Sequence, residues 1–487
     1  MTWIKAGDAA GRYCFGMLSL EPSEPGTMQQ TVTFDADLLR RYDVSGPRYT
    51  SYPTALKFHP GFGAPEYSRA VARSNRKGKP LSLYVHVPFC ASPCFYCGCT
   101  RIITRDPLKA KRYLDRLYRE IELQADLFES GRIVGQLHLG GGTPTFLNAD
   151  DIAILLSRLR RAFAIDKAAE VSIEIDPRTV DGDSMTRLAQ IGFNRISLGV
   201  QDFDRRVQEA VNRVQSVEET TAVIDSARHA GITSINLDLI YGLPFQNIDG
   251  FSRTIDTVIG LKPERLAVYS YAHLPRMFKA QHRIRKETLP DAATKLALLR
   301  TAIDRLTAAG YAYIGMDHFA LENDELVVAQ GNGTLQRNFQ GYSTRADCDM
   351  IGLGMSAIGK IADTYSQNAK DLDAYYAAVD EGRLAIDRGV ILSADDRLRR
   401  QIIQRIMCQG EFEFADFQFA DCAHFLGYFS TAAAQLEQLE NDGMVEIGQD
   451  RLTVTARGRL LLRTVAMAFD AYASRPGKTG LQYSRVL

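Results

Sequence analysis

Between residue 81 and about residue 320, six short apolar runs alternate with segments of helical periodicity: LSLYVHV, GQLHLG, VSIEI, RISLGV, INLDLI and RLAVYSY. No other feature restricts the fold as much. One intervening segment sets Leu114, Leu117, Ile121, Ala125 and Phe128 at helical spacing. Parallel strands need long, right-handed crossovers, so six strand-helix units imply an α/β fold with a full or partial barrel, a (β/α)6 TIM-like architecture. Within the runs, one parity is polar: Tyr84 and His86, Gln136 and His138, Ser172 and Glu174, Ser197 and Gln201, Asn236 and Asp238. RLAVYSY alternates less cleanly. Successive side chains of a strand face opposite sides, so the apolar parity can meet the helices while the polar parity lines the interior. Closed eight-stranded barrels fill with branched apolar side chains; a polar interior suits a wider, open barrel around a polar ligand. A sheet with one solvated face is the competing reading.

A chain of 487 residues exceeds the usual size of one hydrophobic core and implies two or three domains. Residues 1–33 carry no readable motif, with Met17 and Met28 as alternative starts, and residues 34–80, rich in Gly, Pro and Ser, form an extended N-terminal arm that includes VSGPRYTSYPTA. Residues 81–384 are the barrel domain. Residues 385–487 turn mainly helical: LRRQIIQRIMCQ, TAAAQLEQLENDG, a hairpin in MVEIGQDRLTVT and a last helix from about 456 give a winged-helix-like domain. Its mixed charge favours a lid or packing role over DNA binding. Lys plus Arg number 58 and Asp plus Glu also 58, a balance that gives no reason to expect nucleic acid or an anionic membrane. No apolar run is long enough to cross a bilayer and the N-terminus does not read as a signal peptide, so the protein is expected in the cytoplasm.

In that compartment clustered cysteines serve as metal ligands or redox groups. Cys90, Cys94 and Cys97 form C-x3-C-x2-C directly after the first barrel strand, at the end where such barrels build active sites. This spacing suits zinc or an iron-sulfur cluster. Cys99 could complete a zinc site, although two residues from Cys97 it is cramped for a chelate loop. Three thiolates on a four-iron cluster leave one iron open to a substrate or cofactor. GGGTPT at 140–145 follows the second strand, and its glycines let backbone approach a ligand closely. Cys14, Cys348, Cys408 and Cys422 read as ordinary thiols.

The C-x3-C-x-aromatic-C pattern, with Tyr96 as the aromatic residue, resembles the radical S-adenosylmethionine (SAM) enzymes. PRYTSYPTA, YVHVPFC, the CGC extension, LHLGGGTPT, EIDPR, GVQDF, NLDLIYGLP, YAHLP, GMDHFA, RNFQGY and YSRVL together resemble the oxygen-independent coproporphyrinogen III oxidases, from about residue 38 to the end. Leu139 departs from the aromatic residue expected there. The resemblance implies a [4Fe-4S] cluster on Cys90, Cys94 and Cys97, whose open iron chelates S-adenosylmethionine. It implies a 5′-deoxyadenosyl radical that takes hydrogen from two propionates of coproporphyrinogen III, which lose carbon dioxide and become the vinyl groups of protoporphyrinogen IX. It also implies two S-adenosylmethionine molecules: Tyr84, Gly141, Glu174 and Ile358 would line the first, and Tyr96, Gly142, Thr143, Gln201, Arg213, Asp238 and Ala272 the second. Cys99 would act as a hydrogen or electron relay. Arg48, Tyr49, Tyr52 and Arg337 are the candidates for propionate binding. Expected partners are a low-potential electron donor such as flavodoxin or ferredoxin, with no nucleic acid and no membrane, and the chain is expected to be a monomer. The alternatives are a haem-trafficking protein of the related radical SAM branch, an iron-sulfur protein without catalysis, and a radical methyltransferase. The trafficking branch usually lacks both the CGC extension and the PRYTSYPTA arm; this chain has both.

Overall fold

The computed structural model describes residues 32–345, 348–473, 483 and 485. Cys14, Met17, Met28 and the rest of the stretch before residue 32, like most of YSRVL, lie outside the described residues. The arm is less extended than its composition suggests, for it contains two helices, α1 (Ala36–Arg41) and α2 (Ala64–Lys77). Helix α2 begins where Glu66 accepts from the Gly63 N–H at 3.0 Å and ends at Gly78 in the left-handed conformation. Its buried stripe is Tyr67, Ala70, Val71 and Ser74, narrow and weakly apolar, which is why composition hides it.

The first barrel strand, β1 (Leu81–Val87), is followed by a short parallel pair, β2 (Phe89–Cys90) with β3 (Ile102–Ile103). Five helix-linked strands complete the six expected ones. They are α3 (Pro107–Ala125) to β4 (Ile133–Gly141), α4 (Ala149–Ala162) to β5 (Ala164–Ile175), α5 (Gly182–Ile191) to β6 (Arg195–Gln201), α6 (Arg205–Ala210) and α7 (Val217–His229) to β7 (Ser234–Tyr241), and α8 (Ile248–Leu261) to β8 (Arg265–Ser270). All pair in parallel in sequence order. Phe128 of the expected helical face lies beyond α3 but is buried all the same.

The sheet continues past both ends of this barrel. After α9 (Ala292–Ala308), β9 (Tyr311–Gly315) and β10 (His318–Leu321) add to β8 as an antiparallel edge. Beyond α10 (Glu325–Gly331) and the small hairpin β11 (Gln336–Asn338) and β12 (Gly341–Ser343), β13 (Asp349–Leu353) pairs in parallel with β1. Strands β14 (Ile358–Ile361), β15 (Thr364–Asn368) and, after α11 (Leu372–Asp380), β16 (Ile386–Ile391) extend that side antiparallel, so twelve strands form one open sheet. The apolar parity of the strands, Leu83, Val85, Val87, Leu137, Leu139, Ile173, Leu198 and Leu237, is buried against the helices, and the polar parity faces inward.

The C-terminal part has the winged-helix-like order: α12 (Ala394–Cys408), β17 (Glu411–Glu413), α13 (Cys422–Tyr428), α14 (Ala433–Asn441) and the hairpin β18 (Val445–Ile447) and β19 (Arg451–Val454). The closing helix, α15 (Leu462–Met467), starts later than expected because a 3-10 turn precedes it. Among the described residues no helix is long and apolar enough to cross a membrane.

One buried carboxylate holds the sheet extension to the barrel. Glu120 of α3 accepts from the Gly354 N–H at 2.7 Å, Asn368 Nδ2 at 2.6 Å and the Tyr375 hydroxyl at 2.7 Å. Burial nevertheless raises it from 4.5 to about 7. The folded chain therefore keeps a proton that the unfolded chain releases between those values, and this group's contribution to stability falls as pH rises through that window. Glu120→Gln should remove a contribution of the order of 3 kcal/mol between about pH 4.5 and about pH 7. Thermal melting of both proteins at about pH 5 and about pH 8 checks it; parallel shifts in the two would contradict the assignment.

Candidate active site

The cysteine loop begins where the ladder of β1 ends, and it is tied down by backbone contacts before any side chain acts. Ile102 N donates to Pro88 O at 2.7 Å and Thr104 N to Cys90 O at 3.0 Å. Between them Arg101 clasps the loop from within: its Nη1 donates to Cys97 O at 3.0 Å and Cys99 O at 3.3 Å, and its Nη2 to Cys94 O at 3.3 Å. From the β6 side, Phe95 N donates to Val211 O at 2.9 Å and Asn212 Nδ2 to Pro93 O at 2.7 Å. Sequence reasoning missed Arg101 and Asn212; nothing in an arginine next to a cysteine motif announces that it will close the loop.

The glycine run lies directly on this loop. Gly142 N donates to Val87 O and Thr143 N to Phe89 O, both at 2.8 Å. A Cβ on Gly142 would stand 2.7 Å from the Pro88 backbone, and Gly141, at φ 119°, would press one to 2.7 Å from the His86 ring. Close approach is thus required first by the protein itself. Thr143 Oγ1 is thereby set 3.4 Å from Cys90 Sγ, and Arg213 Nη1 3.6 Å from Cys94 Sγ.

All three loop cysteines are free thiols. Burial pushes Cys90 up to about 11, whereas a hydrogen bond from the Cys99 thiol lowers Cys97 to about 6, helped by Arg101 and Arg213. The same bond raises Cys99. Among the described residues no three His, Cys, Asp or Glu side chains gather around a point suited to a single ion. An iron-sulfur cubane spreads its thiolates over separate irons. A thiolate set with two guanidinium groups at hand, one clasping its loop and one beside Cys94, fits such a group.

Below the rim, polar layers cross the barrel. His86 Nε2 lies 3.0 Å from the Thr100 carbonyl, which can only accept, so Nε2 carries the hydrogen and Nδ1 accepts from the Tyr84 hydroxyl at 3.1 Å. Burial lowers His86, in keeping with a neutral ring. His138 reaches Ser172 Oγ at 2.7 Å and Glu174 Oε1 at 3.3 Å, while Gly141 N donates to Glu174 Oε2 at 3.1 Å. Burial alone would raise the Glu174 carboxyl, but His138 and the Gly141 N–H outweigh it and hold it below its usual value. Asp238 accepts from Asn236 Nδ2 at 2.8 Å and Ser197 Oγ at 3.3 Å, and burial lifts it to about 6.

Arg213 is seated by Asp176 at 3.0 Å and by Gly199 O at 2.7 Å, and Asp176 also holds Arg178 at 2.6 Å. Asp176, inside the EIDPR motif, is a positioning residue whose role sequence reasoning did not assign. Gln201, at φ 69°, meets Arg213 above Gly199. Tyr96 and Ala272 are joined by the buried Gln281, whose Nε2 donates to both carbonyls, at 2.9 and 3.1 Å. Ile358 opens β14, with its backbone packed on Gly352, the strand partner of Tyr84.

The structure thus brings the cysteines and ten of the eleven expected cofactor residues to one end of the barrel or its inner wall; Ile358 lies on β14 of the sheet extension, packed against the cluster of Phe58, Tyr365 and Leu392. The four propionate candidates divide. Arg48 pairs with Asp317 and covers Tyr269 at 5.5 Å, and its carbonyl accepts from Arg337 Nε at 3.2 Å. Tyr49 and Tyr52 are instead buried in the seam with the C-terminal part: Tyr49 donates to Asp470 at 3.0 Å, and the Tyr52 hydroxyl accepts from Ala471 N at 3.0 Å. Their rings pack the arm in place, so the polar side chains alone were a poor guide. Cys408 and Cys422 are buried and Cys348 is half-buried, as ordinary thiols.

Comparison with known proteins agrees with this geometry. The radical SAM superfamily matches residues 84–258. The oxygen-independent coproporphyrinogen III oxidase of Pseudomonas aeruginosa is 49% identical over 94% of this chain and 100% of its own length. That of Escherichia coli is 47% identical over 94% and 99%. The solved structure of the Escherichia coli coproporphyrinogen III oxidase, described as a radical SAM enzyme, superimposes with a TM-score of 0.86 at 46% identity, covering 91% of this chain and 100% of that one. With its cysteine loop, glycine loop and open barrel matched along nearly the whole sequence, the chain belongs to the oxygen-independent coproporphyrinogen III oxidases of the radical SAM superfamily.

Proposed function

We propose that this chain converts two propionates of coproporphyrinogen III to vinyl groups, giving protoporphyrinogen IX in haem synthesis. Each propionate gives up a hydrogen atom, carbon dioxide and one further electron. The observation that carries the reading is the column of polar side chains, from Glu174 and His86 down to Gln136, inside an open barrel capped by three free thiols.

Cys90, Cys94 and Cys97 would hold the [4Fe-4S] cluster. Tyr84, Gly141, Glu174 and Ile358 would line the S-adenosylmethionine bound to it, and Tyr96, Gly142, Thr143, Gln201, Arg213, Asp238 and Ala272 a second molecule. When bound, these groups supply one-electron radical chemistry that no side chain of the protein can perform. The protein's own contribution is placement. Glu174 offers a carboxylate fixed at both oxygens, suited to an ammonium group, and Asp238 one suited to ribose hydroxyls. Arg213 and Arg101 balance the charge of the thiolates. Cys99 lies close enough to Cys97 to share a hydrogen bond, as a relay requires. The arm (34–80) and the C-terminal part (385–487) would cover the barrel domain (81–384) and keep water from the reacting carbon.

The electron donor would be a small acidic protein such as flavodoxin or ferredoxin. Arg276, Lys279, Arg283, Arg285 and Lys286 are exposed on one segment, and that same segment holds the cluster loop through Gln281, through Phe278 against Gly98 and through Arg283 over Phe95 at 5.2 Å. One chain supplies every group named, in keeping with a monomer, and reduced thiols and a low-potential donor both suit the cytoplasm.

An anaerobic assay of the reconstituted protein with coproporphyrinogen III, S-adenosylmethionine and dithionite tests the reading. Protoporphyrinogen with about two 5′-deoxyadenosine per product supports it. Deoxyadenosine without porphyrin conversion would mean another substrate, and neither product would favour haem trafficking. Cys94→Ser should lose cluster iron and absorbance, whereas Cys99→Ser should keep both and lose turnover; wild-type iron in the first or a wild-type rate in the second would refute the respective role. Arg276→Glu with Lys279→Glu should slow flavodoxin-driven turnover about tenfold and leave the dithionite-driven rate unchanged. Equal loss with both reductants would reject the docking surface.

A further inference from the structure

The barrel has a second mouth, at the strand ends away from the cysteine loop. A cavity of about 420 Å³ opens there between the starts of β1, β4 and β13, the β11 strand and helix α12. Its volume lies in the range of small-molecule sites. Among the described residues lining it, Arg337, Arg345, Lys360, Arg400 and Arg405 are cationic and Asp416 is the only carboxylate. Asp416 lies 3.6 Å from Arg405 and so offsets one of the five.

Two guanidinium nitrogens there are buried without a hydrogen-bond partner, Arg337 Nη1 and Arg400 Nη1. Arg337 as a whole is 4% exposed. A buried cationic N–H without an acceptor is costly, and a carboxylate is the acceptor whose charge and shape suit the guanidinium fork. Arg337 also joins the cavity to the barrel interior. Its Nε donates to the Arg48 carbonyl, its guanidinium covers Tyr342 at 4.9 Å, and Tyr342 packs edge-on to His318, which in turn meets Tyr269 of β8. From Ser82, at the cavity, to His86, just below the rim, is four residues of β1, about 13 Å. A tetrapyrrole with propionates on opposite edges can span that depth.

We propose that this cavity is a carboxylate site that holds the two propionates coproporphyrinogen III retains, paired with Arg337 and Arg400, so that the two reacting propionates are presented toward Glu174 and the cysteine loop. The inference rests on the reaction proposed above and adds how its substrate is oriented. Anchoring the unreactive edge at a fixed depth selects which propionates reach the rim, a task the rim residues, occupied with cofactors, do not perform.

The test is a fluorescence titration of the reconstituted enzyme with coproporphyrin III, which has four propionates, and with deuteroporphyrin, a diacid carrying only the retained pair. Arg400→Gln should weaken both by roughly tenfold, leave the dimethyl ester of the diacid unaffected, and keep cluster absorbance and S-adenosylmethionine binding as in the wild type. Arg400→Lys, which keeps the charge but loses the fork, should fall between and serves as the second variant should Arg400→Gln melt early. Unchanged affinity for both acids would overturn the proposal. So would loss confined to the tetra-acid, which would put the reacting propionates in the cavity. Failure of the proposed reaction is read separately, as no turnover of coproporphyrinogen III by the wild type.

Discussion

The backbone ladder between β1 and β4 continues past the barrel rim, and the chemistry above the rim depends on it. The bonds from Gly142 N to Val87 O and from Thr143 N to Phe89 O lay the glycine loop on the root of the cysteine loop. Two main chains at that distance leave no room for a side chain between them, and neither can turn aside as a side chain could. The glycines are therefore a condition for the site to exist. From that seam follow the position of Thr143 beside Cys90, the N–H that Gly141 presents to Glu174, and the direction in which the cysteines leave the barrel.

Beneath the seam, the barrel carries buried charge, which is expensive unless each group is met. The structure meets it in groups of three that bridge neighbouring strands: Ser82 with Gln136 and Glu170, His138 with Ser172 and Glu174, and Asn236 with Asp238 of its own strand and Ser197 of the next. Asp176 serves two arginines, Arg178 and Arg213. Such an interior gives up the packing of a branched apolar core for fixed dipoles aimed at a ligand, which is preorganisation of the kind radical chemistry needs.

The arm connects the two ends of the barrel. Arg463 of α15 donates to the carbonyls of Gly46 and Pro47, and Tyr49 and Tyr52 are anchored at Asp470 and Ala471. These ties carry Arg48 inward to Arg337. Burial, with the charge of Arg337, pulls Arg48 and Arg463 each down to about 10. The buried charge of Arg48 is met by Asp317, and that of Arg463 by the carbonyls of Gly46, Pro47 and Arg485.

How much could be read beforehand varies with the range of the interaction. The six barrel strands, the inward face with Tyr84, Glu174 and Asp238, and the spacing of the cysteines on one loop were legible because each depends on residues two to seven positions apart. Strands β13 to β16 were not: β13 and β15 are buried on both faces, so they show no alternation, and the pairing of β13 with β1 joins residues far apart in the chain. Helix α2 was hidden by its small, polar stripe. Tyr49 and Tyr52 have side chains able to bind propionates, yet their place in the seam with the C-terminal part sets a structural task. The sequence by itself determined the α/β pattern, the thiol spacing and the polar parity, since periodicity and chelate geometry are local. Only the tertiary structure decided that Arg101 would clasp the cysteine loop, that Asp176 would seat Arg213, and that Arg337 and Arg400 would line one cavity at the far mouth. The reason is that hydrogen bonds and charges act over a few ångströms of space, whatever their distance along the chain.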